Sequence, residues 1–240
     1  MQPTLQRACA WCGIGFLVAL FVMFMLIAGL IPPLSPTSNA QEITQHIIDD
    51  KLRIRWGVAL MLLASATVVP FNAALSLRIR RAEGGRWGVL SITQILAAAA
   101  LYPAGFYTPF MMLAAATFRP EQRPPELTLA LDDLFWLMLI GLVGTLVLQA
   151  LVITIATFTD QSLTPTFPRW FGYFNVWYAI LATPAALVVV FNAGPLAWNG
   201  VFAFWVPLGA FAGWYIALVV LMLRSIAADE SDERPAVPDV

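Results

Sequence analysis

Asp132 and Asp133 stand side by side where an apolar stretch begins, after Glu126 and just before Phe135-Trp136. Neighbouring positions on a helix lie about 100° apart, so both carboxylates cannot face lipid cheaply, and at least one is expected to turn into the protein. A carboxyl group kept neutral there could donate a proton. That makes Asp132 and Asp133 the candidates for acid–base chemistry on a lipid-soluble substrate. The competing reading is structural. Carboxylates near a helix N-terminus are stabilised by the macrodipole, and Arg53, Arg55, Arg119 and Arg123 are expected at the same level to pair with them.

Uncharged polar residues inside apolar stretches form a second group. A buried amide in lipid seeks a partner on another helix, and such bonds contribute about 0.6–2 kcal/mol. The candidate ligand-binding residues are Arg53, Arg55, Asn72, Gln94, Asp132, Asp133, Gln149, Asn175, Tyr178 and Asn199; each amide among them also reads as interhelical glue. Gly141, Thr145 and Gln149 recur at a spacing of four, and Gly209 and Gly213 form a GxxxG pair, both suited to close helix packing. Cys9-Ala10-Trp11-Cys12 has redox spacing, but no second pair stands nearby to relay electrons. His46 is the single histidine, which excludes multi-histidine metal sites and bis-histidine haem. No phosphate-binding loop, dinucleotide fingerprint, serine elbow or metalloprotease motif occurs, so neither a metal nor a cofactor is expected.

The elements that must position these residues follow from composition. The chain has 240 residues, 60% hydrophobic and 11% charged, with a net charge of −1 and a mean hydropathy of +0.79. A soluble domain is about 25% charged, so the balance excludes a soluble domain and, with no basic patch, a nucleic-acid partner. A membrane crossing takes about 20 apolar residues. Six stretches meet that length without an Asp, Glu, Lys or Arg: 11–31, 56–77, 87–118, 134–158, 170–191 and 198–223. Five open on tryptophan and the fourth carries Trp136 in its first turn, as expected for indole anchors at the membrane edge. The third stretch is long and holds Pro103 and Pro109, so it is either a kinked, tilted helix or a helix followed by a re-entrant piece.

The expected architecture is all-α: a six-helix transmembrane bundle over residues 1–226, followed by a disordered acidic cytoplasmic tail over 227–240. Arg78, Arg80, Arg81 and Arg86 crowd one short loop, which places both termini on the cytoplasmic side. Between the first two spans, Ser38 or Asn39 caps an amphipathic helix from about Gln41 toward Arg55, with Glu42 in its first turn. That helix is expected on the membrane surface or running into the second span, with His46 on its solvated face.

Arg119-Pro120-Glu121, Phe167-Pro168-Arg169-Trp170-Phe171-Gly172-Tyr173 and Gly194-Pro195-Leu196-Ala197-Trp198-Asn199-Gly200 resemble segments of an uncharacterised bacterial family of six-helix integral membrane proteins. The likeness runs from Ile31 to Arg224. It implies the topology and a bacterial inner membrane, and carries no assigned activity. Asn199 is expected to contact the neighbouring outer loops.

The functional expectation is a non-enzymatic protein that binds an apolar or amphipathic small molecule or lipid, and by extension transports it, through a cavity open to the outer side. The alternatives are a membrane enzyme using Asp132 or Asp133, and an accessory subunit of a larger membrane complex. The expected partners are the lipid bilayer, a hydrophobic small molecule, and a membrane protein or second copy meeting the Gly209/Gly213 face.

Overall fold

A computed structural model describes residues 3–232. Ten α-helices are joined by short non-α turns: α1 (Pro3–Phe21), α2 (Ala40–Asp49), α3 (Lys51–Ala64), α4 (Val68–Ala82), α5 (Val89–Leu101), α6 (Thr108–Phe118), α7 (Pro125–Gly141), α8 (Gly144–Thr159), α9 (Arg169–Ala182) and α10 (Val206–Asp232). They build six stretches long and apolar enough to cross a membrane, 3–27, 51–82, 89–118, 125–159, 169–189 and 194–231. The chain is therefore an all-helical, multi-pass membrane protein. The start of α1 and the end of α10 meet at one end of the bundle, where Arg7 pairs with Glu230. This is called the basal end below, and the end bearing α2 the distal end.

The basal halves form a closed ring in chain order: α1 packs on α4, α4 on α5, α5 on α8, α8 on α9, α9 on α10, and α10 back on α1. Close approach is enforced at Gly13 of α1, where a Cβ would fall within 2.8 Å of Phe71 and Val219. Polar ties close the basal rim. Arg78 is held by Gln6 and by Asp229, while Arg81 reaches Asp229 at 2.9 Å and the carbonyl of Thr164 at 2.8 Å. In the loop before α5, Gly84 and Gly85 take the left-handed conformation (φ +72° and +81°), which favours glycine. The turn brings the Glu83 carboxylate onto the N–H groups of Leu90 and Ser91 at 3.0 and 2.9 Å, capping α5.

Every span departs from α geometry, spans two, three and four internally and spans one, five and six at one end. Spans one, three and six contain π turns at Val22–Ile27, Tyr102–Tyr107 and Val201–Trp205; spans two and five contain 3-10 turns at Ser65–Thr67 and Thr183–Val189. Span four breaks between α7 and α8 at Leu142-Val143. The third span is thus one helix rather than a re-entrant pair. Tyr102–Tyr107 absorbs the missing Pro103 donor by widening to i→i+5 bonding, with Thr108 N–H donating to the Pro103 carbonyl.

Three expectations need correction. The helix carrying the fourth span begins at Pro125, ahead of the apolar stretch from Leu134, and Trp136 is buried against Phe24 and Phe204 rather than exposed as an edge anchor. Helix α2 has the expected Asn39/Glu42 capping box, but its apolar face, with Ile43 and Ile47 buried, packs on α7 rather than on lipid. Residues 227–232 continue α10 because Asp229 and Glu230 are tied to Arg78, Arg81 and Arg7; the expected tail beyond them, 233–240, lies outside the described residues. Gly209 and Gly213 face outward and meet no other element among the described residues, so their spacing packs no helix within the bundle.

Candidate functional site

A cavity lies between the helices, lined by spans one, three, four, five and six. It leaves about 130 Å³ open to the centre of a water-sized group, where one water needs about 10–15 Å³. Each of those five spans contributes its non-α stretch to the wall. Phe24 comes from the π turn of span one, Phe106 from that of span three and Val143 from the break in span four. Ala185 comes from the 3-10 turn of span five and Phe204 from the π turn of span six. The lining carries no acidic or basic side chain, and Tyr178 is its one residue with a polar side chain. Tyr178 is held by stacking on Trp214, with centroids 4.6 Å apart and planes 9° from parallel.

The amides sort into two buried groups behind this cavity. In one, the Gln94 side-chain NH2 donates to Asn72 Oδ1 at 3.1 Å and to Gln149 Oε1 at 2.7 Å, linking spans two, three and four. In the other, Trp214 Nε1 donates to Asn175 Oδ1 at 2.7 Å, and the Asn175 amide donates to the Phe171 carbonyl. Asn72, Gln149, Trp214 and Tyr215 border a second, smaller void of about 10 Å³ on the same measure. Leu101, Phe106, Leu146 and Phe211 line both spaces, so the two adjoin.

The charged candidates lie elsewhere. Asp132 points inward and is 6% exposed, but it borders a separate distal cavity of about 40 Å³ together with His46, Gly29 and Trp136. No hydrogen bond or ion pair reaches it among the described residues, and none of the four expected arginines pairs with it or with half-buried Asp133. Arg53 pairs with Asp50 at 2.8 Å, Arg55 and Arg119 lie over the Phe118 ring, and Arg123 donates to the Ala115 carbonyl. His46 therefore faces a cavity rather than a solvated surface alone. Among the described residues Asn199 makes no side-chain hydrogen bond; the loop contact belongs to its neighbour, Trp198 Nε1 donating to the Leu34 carbonyl at 2.9 Å.

No family model, curated protein or solved structure matches this chain. What the site can do is accordingly read from its geometry alone. An apolar cavity lined without acid or base binds by area and shape. Its polar recognition is confined to Tyr178 and the amide groups behind the wall. The residues that sequence reasoning passed over are Trp214 and Tyr215. Their signal was position: an indole and a phenol in the middle of a span cannot be interfacial anchors, and a buried one needs a partner.

Proposed function

We propose that this protein binds an apolar or amphipathic small molecule in the cavity between its helices, and presents or moves that molecule within the membrane. One observation carries the reading. The non-α stretches of five spans converge on one wall, and departures from α geometry within a bundle are tolerated where they are buried in protein or line a cavity. Broken helices surround the binding sites of membrane carriers for the same reason. The absence of charge from the lining favours an uncharged ligand body, and exposed Leu142 at the wall gives entry from the lipid side. An acid–base role for Asp132 and Asp133 has less support, because Asp132 borders a different cavity.

The clustering of Arg78, Arg80, Arg81 and Arg86 in and beside the basal loop supports a cytoplasmic basal end with both termini inside. The resemblance in sequence supports a bacterial inner membrane.

Native mass spectrometry of protein released gently from its own membrane tests the binding role. The expected spectrum contains a discrete bound species of small-molecule mass. Leu142→Trp adds bulk at an exposed wall position without touching the core, and is expected to remove that species while leaving thermal stability within about 0.5 kcal/mol. A spectrum with no bound species, and no uptake of an added hydrocarbon, would sink the proposal.

A further inference from the structure

The small void beside the cavity holds the more specific information. Its polar wall has a fixed direction. The Asn72 amide donates to the Val68 carbonyl at 2.9 Å, which leaves Asn72 Oδ1 as an acceptor. Gln94 must then present its NH2 to Asn72, and its other N–H goes to Gln149. Gln149 accepts with its oxygen, so its own NH2 is turned away from the chain. Reversing any one amide would set two oxygens or two NH2 groups against each other. The free end of the chain is therefore a donor, Gln149 Nε2, buried and without a partner. The Tyr215 hydroxyl is the second buried polar group bordering the void, and it too has no partner.

Buried donors are rarely left unmade, because an unsatisfied group keeps its full desolvation cost. The void is of the size one oxygen atom needs. We infer that the ligand is an uncharged lipid carrying a single terminal carbonyl or hydroxyl oxygen, which sits between Gln149 Nε2 and the Tyr215 hydroxyl while the hydrocarbon body fills the adjoining cavity. This rests on the binding role proposed above and names its ligand class. A carboxylate or phosphate is disfavoured, since no cationic side chain borders either space. A pure hydrocarbon leaves both donors unmade.

Four probes of one chain length separate these cases: 2-undecanone, 2-undecanol, undecane and undecanoate, titrated into the intact protein and followed by native mass spectrometry. The ketone and the alcohol are expected to bind roughly ten-fold more tightly than the other two, as for two added hydrogen bonds of ordinary net strength. Gln149→Leu is expected to weaken the ketone about three-fold, with undecane itself unchanged, and Gln149→Leu combined with Tyr215→Phe to bring the ketone to the level of undecane. Tyr215→Phe removes one oxygen and keeps the ring packing, and is expected to weaken the ketone about three-fold. The infrared carbonyl stretch of the bound ketone is expected at lower wavenumber in the unmodified protein than in Tyr215→Phe. Equal binding of ketone, hydrocarbon and carboxylate, or a preference that survives both substitutions, overturns the inference while leaving the cavity role intact. Failure of all four probes, undecane included, overturns both.

Discussion

Arg78 is buried at the basal rim, and its guanidinium is matched by Asp229 at 2.6 Å and by Gln6. Removing one partner of such a pair leaves an uncompensated charge, whereas replacing both need not destabilise. Asp229→Ala is therefore expected to cost about 2–3 kcal/mol in a denaturant titration, less than a fully buried pair because Asp229 is partly exposed. Arg78→Met combined with Asp229→Leu is expected to recover most of that. Glu83 supplies a pH-dependent term. Burial raises its pKa, but hydrogen bonds from Ser91, Leu90 and Gly88 outweigh this and hold the carboxyl below its usual value. A depressed folded pKa means the stabilisation is complete above the unfolded value of about 4.3 and is lost as pH falls through the folded one. Glu83→Gln is expected to flatten that part of the acid-unfolding curve and to leave stability above pH ~6 insensitive to pH. The sequence placed these charges on the right rim but not their partners, since residues 227–232 read as tail until Arg78 and Arg81 hold them in a helix.

At the scale of the element, capping and periodicity were legible and interruptions were not. Asn39 and Glu42 announce the start of α2, and Pro103 announces a disturbed third span. The π turn at Val22–Ile27 has no such mark: its six residues are ordinary helix formers in lipid, and only packing decides between i→i+4 and i→i+5 bonding. The burial of Trp136 escaped for a related reason, because an indole serves equally as an interfacial anchor or as core. Helix contacts can be tested through Gly13, whose Cα approaches Phe71 and Val219 too closely for a side chain. Gly13→Val is expected to destabilise by about 1–3 kcal/mol through overpacking between α1, α4 and α10, measured by unfolding in mixed detergent. Gly15, with open space where its Cβ would stand, is the control: Gly15→Ala is expected to be neutral or mildly stabilising.

For the whole molecule, six crossings were visible in the sequence because lipid demands about 20 apolar residues from each. The cavity was not, because its walls are built from the same leucines, phenylalanines and alanines that face the bilayer. Of the candidate residues, Asn72, Gln94 and Gln149 do converge, since buried amides seek one another, whereas Arg53, Arg55 and Asn199 are scattered over the distal surface. The breaks inside spans two, three and four have a mechanical meaning. They set off three short distal helices, α3, α6 and α7, as levers on the basal drum of α1, α4, α5, α8, α9 and α10. The lipid leaflet surrounding the levers presses on them and sets their splay, because helices answer a thickness mismatch by tilting. In bilayers of graded chain length, ligand affinity is expected to follow the thickness of the distal leaflet, with the drum unaffected. Under the proposed binding role, the surrounding membrane would act as a vice whose jaw width sets what the cavity holds.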